Sequence, residues 1–323
     1  MLTVSHRITI GAAAYTSAEH SRLVGLRTRA SLDVPVNTAW MILGPASGLS
    51  LAPDDPVTVE LGYGDDLEPV FAGTVETVDW GIERVTVHAA GGFQKLVGAR
   101  CNLFYEKSKA GDIVSDVAGS LSVATGNVES GLEFPAYALS DSLTAYDSLR
   151  QLARRCGFDF YADVEDQLVF APYDPAETHP FQYGVNILSL RLDNPAALVS
   201  GAEIYGESPA SLGQGQDATS WLTKKDVKGT AGDMSGVMWR RFDPAARTQE
   251  DAGQIAEAAL DALRAKRACA LKALGSPVVR LGHEIDITDM PLDDQNGTFK
   301  VIGVEHRLDI KKGFYTIING LEL

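Results

Sequence analysis

The residues best suited to chemistry are thinly spread along this chain. His306 stands beside Glu305 in "GVEHRLDI", but neighbours in a strand point to opposite faces, and no second His or Cys lies near in sequence to share a metal. A general base needs a positioned partner, and His306 has none in view. His283 and Glu284 open like a zinc-protease motif, yet the "IDIT" that follows alternates as a strand, so the required helix and second histidine are missing. The pairs Asp54 and Asp55, Asp65 and Asp66, and Asp293 and Asp294 invite calcium but lack the spacing of a calcium loop, and they read as turn residues. Asp141, Asp147 and Asp159 with Ser142 or Ser148 have no histidine to complete a nucleophile arrangement. "GLRTRA" and "GQGQDATSW" have neither the Gly-Lys-Ser ending nor the strand-to-helix setting of a phosphate cradle. Cys101, Cys156 and Cys269 are odd in number and far apart, and read as reduced, mostly buried thiols. The expectation is a protein with no catalytic, cofactor or metal site, not an enzyme, acting through its surfaces.

The totals agree with that. A chain of 323 residues with 45% apolar content can bury a substantial core, and its length favours two or three domains. Its formal charge of −15, from 43 acidic against 28 basic residues, argues against a surface built to neutralise phosphates, so nucleic acid is not expected as a partner. The first twenty residues lack the basic, apolar and cleavage regions of a signal peptide, and no apolar run is long enough to span a membrane. A bacterial cytoplasmic site of synthesis is expected.

Residues 1 to 104 alternate apolar and polar positions in "HRITIG", "VTVELGYG", "VFAGTVETVDW" and "ERVTVHAA", the period of half-buried strands. Turn chemistry in "APDDP", "GYGDD" and "DWGIE" separates them, predicting a small antiparallel barrel or sandwich. From 105 to 180 the period changes. "GDIVSDVAGSL" and "SDSLTAYDSLRQLARRCGF" are helical, the second stopped by Gly157 with Arg154 and Arg155 opposing the dipole, and "FDFYADVEDQLVFAPYD" is a hairpin. Residues 181 to 323 return to strands, with a polar loop over 206–236 and one long helix over 248–274, opened by a capping box at Thr248 and Asp251 and ended by Gly275 and Pro277. The fold class is α+β, mostly β: two similar antiparallel β-barrel domains flanking an α+β insert.

The likeness of the two β regions is itself visible. "GTVETVDW" at 73–80 echoes "GTFKVIGV" at 297–304, pairing Val75 with Phe299, Val78 with Ile302 and Trp80 with Val304. Each is preceded by one strand and an acidic loop and followed by another strand, which predicts an internal duplication.

With those features the chain resembles the baseplate hub proteins of contractile tails, the phage late control D proteins, which are similar to the N-terminal part of the valine-glycine repeat spike proteins of type VI secretion. The resemblance rests on the order of "VSHRITIG", "LDVPVNTAWMIL", "SLTAYDSLRQLARRCGFDFYADVEDQLVF", an Ala-rich helix, "GTFKVIGVEHRLD" and "GFYTIINGL" over nearly the whole chain. It implies a structural hub within a virion or injection particle: a homotrimer whose two β domains per chain make a ring of six similar barrels, matching a sixfold tail tube protein on one side and a threefold spike protein on the other, among other baseplate proteins. It also implies a stand-alone hub whose spike is a separate chain. Trp80, Trp221, Trp239 and Tyr315 are the candidate interface anchors, since large aromatics often carry interface energy. An acidic lumen is a further expectation from the charge. The alternative is a β-rich cell-wall hydrolase or carbohydrate-binding protein, to which acidic pairs and exposed aromatics would also be suited.

Overall fold

The computed structural model describes residues 3–17, 22–44, 49–206 and 227–323. The first β region comprises β1 (Val4–Ile10), β2 (Ala13–Thr16), β3 (Leu23–Ser31), β4 (Thr38–Leu43), β5 (Pro56–Tyr63), β6 (Asp66–Trp80) and β7 (Val85–Ala90). Alternation places one face of each strand inside: Val57, Val59 and Leu61 of β5 meet Ile8, Met41 and Val87 in a dry core. A short helix, α1 (Phe93–Gly98), then carries Phe93 and Leu96 into a second core.

That second core belongs to the insert: β8 (Leu103–Lys109), α2 (Ala110–Ser120), β9 (Thr125–Val128), β10 (Glu133–Leu139), α3 (Ala145–Cys156), β11 (Asp159–Ala162) and β12 (Leu168–Ala171). The local signals in α3 are all used. The Thr144 side chain accepts the Asp147 N–H, Tyr146, Leu149 and Leu152 are buried, and Gly157 adopts φ 70° to end the helix. Leu143 lies outside the helix and is partly exposed.

The chain next forms β13 (Thr178–Gln182) and β14 (Ile187–Asp193), then leaves the sheet for β15 (Gly201–Tyr205), β16 (Lys228–Gly232), β17 (Met238–Phe242) and α4 (Gln249–Leu263). It returns as β18 (Ala268–Leu274), β19 (Glu284–Thr288), β20 (Gly297–Asp309) and β21 (Gly313–Glu322).

Three boundaries differ from the sequence reading. The helix expected over 248–274 stops at Leu263, although its capping box at Thr248 and Asp251 forms. Residues 268–274 are a strand because Cys269, Leu271 and Ala273 alternate with outward positions, a period of two that overrides the helix propensity of Ala, Leu and Lys. Within the stretch expected as a polar loop, 228–232 form β16, and residues 207–226 lie outside the described residues. Finally, 181–323 is not a single unit. Ile204, Val227, Ile255 and Leu260 join the insert's core with Phe134 and Leu149, and the proposed cut after residue 180 falls inside β13. The physical reason is α4: its apolar face needs a cover, and α3 with β16 supplies it.

The remaining strands of the second β region close over Leu271, Ile285, Ile287, Phe299, Val301 and Ile318. Its topology repeats the first region's. In sheet order β3-β4-β7-β6-β5 corresponds to β14-β18-β21-β20-β19, all neighbours antiparallel and the chain order the same. Two irregularities recur as well. The ladder of β3 slips at Val24 and that of β14 at Leu188, while β6 slips at Glu76 and β20 at Ile302. Bulges are specific local features, and two in matching places fix the correspondence residue by residue. Thr74, which bridges Pro56 and Ala90, matches Lys300, which bridges Glu284 and Leu321. The true register therefore sits two residues from the one suggested by sequence: Val75 matches Val301, Val78 matches Val304, and Trp80 matches His306. A shift of two preserves the face of every side chain, so the hydrophobic echo survived it. Only the outer edge departs, where β1 runs antiparallel to β5 but β13 runs parallel to β19.

Candidate functional site

His306 is not placed for catalysis. It is 2% exposed, with Nδ1 3.1 Å from the Thr316 hydroxyl and its ring 6.2 Å from that of Phe314. Burial drives its pKa down to about 4, so the imidazole is neutral, and Glu305 faces the other side of β20. The acidic pairs serve turns. The Asp55 carboxylate accepts the Ala52 N–H at 2.8 Å, Asp66 starts β6, and Asp293 and Asp294 lie in a single helical turn. The three cysteines are free thiols, each pushed up in pKa by burial. The zinc-protease fragment dissolves too: Glu284 accepts the Thr178 hydroxyl within the β13–β19 pair, and the histidine that does approach His283 is His179, over a hundred residues away in sequence.

What the duplicated topology offers instead is a seam. The two β regions share one 13-stranded sheet because β3, the first strand of one unit, pairs antiparallel with residues 303–309 of β20 in the other. On the outer face of that seam Arg27 Nη2 meets Glu305 Oε2 at 2.8 Å, and Arg307 also binds Glu305. Partial burial would raise the Glu305 pKa, but the hydrogen bonds from Arg27 and Arg307 outweigh it and hold the carboxyl below its usual range. On the inner face His306 lies opposite Thr28, both buried.

Among the described residues, each half of the seam has a second copy with no strand paired on that side. Among the described residues β14, which matches β3, pairs only with β18. The end of β6, which matches the seam segment of β20, is open on its outer side beyond Val75, whose backbone bonds to Asp54 and Asp55. Both edges carry the residues of a seam. Trp80, in the place of the buried His306, is 53% exposed, and Leu192 stands in the place of Thr28. Asp79 stands in the place of Glu305 and Arg191 in that of Arg27, both exposed, while Asp193, 3.6 Å from Arg191, stands in the place of Arg29, so the outer charges are repeated only in part. Leu188, at the bulge, is 51% exposed. Unpaired edge strands are usually blunted by charge or cover, and here exposed charged side chains alternate with the exposed Trp80 and Leu188.

Of the aromatics singled out in sequence, Trp80 lies on this edge. Trp239 is half-buried on β17 against the insert's core, and Tyr315 is buried with the Lys272 ammonium 4.2 Å above its ring. Trp221 lies outside the described residues. Sequence reasoning missed Asp79, Leu188, Arg191 and Leu192, since their meaning depends on the register of the duplication.

No family model matches this chain, and no curated protein does. Solved structures do. A 43 kDa tail protein of prophage MuSo2 from Shewanella oneidensis overlays with a TM-score of 0.71 at 13% identity, covering 99% of this chain and 98% of that one. A tail protein from Neisseria meningitidis gives 0.71 at 13%, covering 99% and 96%. An Escherichia coli protein described as a component of the type VI secretion system, with structural similarity to T4 bacteriophage tail proteins, gives 0.59 at 9%, covering 100% of this chain and 77% of that one. The chain has the fold of these proteins over its whole length.

Proposed function

We propose that this chain, built on the fold of phage tail and type VI secretion proteins, is a structural hub: a homotrimer that joins a sixfold tail tube to a threefold spike in a contractile injection machine. The observation that carries the proposal is the half-used seam. Within one chain β3 of the first unit is paired with β20 of the second, leaving β14 of the second unit and the end of β6 of the first as a matching open pair. Repeating the same contact between chains joins β14 of one copy to β6 of the next. That interface is heterologous, and heterologous contacts close into a ring when the rotation permits. Three chains then present six similar β units to one side, while the insert and the α4 segment, which occur once per chain, impose threefold symmetry on the other.

The face of the shared sheet turned away from both cores bears Arg27, Arg29 and Arg307 beside Glu305. Glu76 and Asp309 stand on the same face as Arg27, Arg29 and Arg307, so it carries both signs of charge. Tube, spike and further baseplate partners, and residence in a virion or injection particle, follow from the same reading.

Mass measurement in solution, with and without a candidate spike chain, is the test. A trimer that co-purifies with a trimeric spike is the expected result. A chain that stays monomeric at high concentration, or that turns over cell-wall glycan, overturns the hub.

A further inference from the structure

The structure brings together three metal-ligating side chains that sequence separates. His179 on β13 and His283, the residue before β19, place Nε2 and Nδ1 2.8 Å apart with rings stacked at 5.1 Å. Glu177, just before β13, sets a carboxylate oxygen 3.8 Å from His179 Nε2, and the candidate ligand atoms of all three lie within 4.8 Å of one another. No other such group of His, Cys, Asp and Glu occurs among the described residues.

We propose that Glu177, His179 and His283 form a site for a zinc-class divalent ion that fastens β13 to the start of β19. Two imidazoles and a carboxylate are a suitable donor set for such an ion, leaving the fourth tetrahedral position to water. With metal–nitrogen distances of about 2.0–2.1 Å, tetrahedral ligand atoms stand about 3.3 Å apart, so the histidines need to separate by about half an ångström while the exposed Glu177 closes in. At that distance one ring donates its N–H to the other, and binding an ion at both nitrogens requires the donor ring to take the tautomer that carries its proton on the other nitrogen. The nearby Arg280 guanidinium is itself engaged, its Nη2 3.0 Å from the Glu68 carboxylate.

The position gives the ion something to do. β13 is the strand by which the chain enters the second β unit from the insert, and among the described residues its strand partner is β19, in parallel. Parallel pairing at an edge is the weaker kind. An ion joining His179 to His283 closes a loop of more than a hundred residues, where a cross-link restrains the unfolded chain most.

The experiment uses the full chain and the metal alone. Zinc(II) titrated into metal-free protein by calorimetry is expected to saturate at one ion per chain and to raise the melting temperature, and cobalt(II) is expected to give the intense visible bands of tetrahedral coordination. His179→Ala and His283→Ala are each expected to weaken zinc binding more than about tenfold. Because His179 is buried and its loss could unfold the edge, Glu177→Gln at an exposed position serves as the second variant, expected to keep the metal-free melting temperature and lose most of the zinc-dependent rise. The site is refuted if the wild-type chain takes up no zinc, or if all three variants bind it as the wild type does. Neither outcome touches the oligomeric state, so the hub reading stands or falls separately.

Discussion

His306 on β20 and Thr316 on β21 face each other across the ladder, with Nδ1 3.1 Å from the hydroxyl oxygen. That oxygen also accepts the Ser276 N–H at 2.9 Å, and the same hydroxyl lies 3.4 Å from the Ser276 carbonyl, to which it donates. Burial dominates the titration, lowering the pKa to about 4 against a lesser upward pull from the Val279 backbone. A histidine whose folded pKa lies below its unfolded value stabilises the fold fully above the unfolded value of 6.5 and loses that contribution as pH falls towards about 4. Unfolding by urea at stepped pH should show a loss of about 3 kcal/mol over this window from His306. In His306→Leu that part of the slope should disappear.

Asp79 and Arg191 are expected to pair between neighbouring copies as Arg27 and Glu305 pair within one. Arg191→Asp should weaken self-association about tenfold or more, because Asp79 then faces only carboxylates across the seam, and adding Asp79→Arg reverses both charges of the pair. The double reversal should restore it. Sedimentation velocity across a concentration series reads all three, and failure of the double variant to recover would place the contact elsewhere.

Trp80→Ala should leave the isolated chain's melting temperature unchanged, since the ring is half in solvent, yet cost about 2 kcal/mol or more at each interface if Trp80 occupies the place His306 holds within the chain. Light scattering coupled to size exclusion is the measurement.

Arg155 on α3 donates to the Asp243 carboxylate at 2.9 Å and to the Tyr137 hydroxyl at 2.8 Å, with Asp243 almost wholly buried. Asp243→Ala leaves the guanidinium without its counter-charge and should destabilise the chain by about 3–5 kcal/mol in chemical unfolding.

Gly229 of β16 lies so close to α4 that an added Cβ would fall 2.0 Å from the Ala252 carbonyl carbon. Gly229→Ala should push the helix off the sheet and lower the melting temperature, at a cost of about 1–3 kcal/mol or more.

Much of the fold was legible in the sequence because its signals are local. The strands of the first hundred residues follow from alternation, α3 from Thr144, Gly157 and a clean apolar stripe, and the start of α4 from its capping box. What failed depended on distance. The Ala-rich run after Leu263 has helix propensity and strand periodicity together, and pairing with β21 decided between them. That α4 belongs with the insert was invisible, because its cover comes from α3. The duplication could be seen, but its register could not, since bulges at Glu76 and Ile302 leave no mark in composition. His179 and His283 were unreadable as a pair for the plainest reason: no spacing rule reaches across more than a hundred residues.

The seam between β3 and β20 also bears on how such a chain can change over time. Its geometry is written in main-chain hydrogen bonds and in the positions of two bulges, and main-chain groups are the same whatever the side chain. A lineage can exchange nearly every residue along such a joint and keep the joint, provided the alternation and the bulges remain. This chain and a Shewanella tail protein, overlaid from end to end at 13% identity, show one fold carried by largely different side chains.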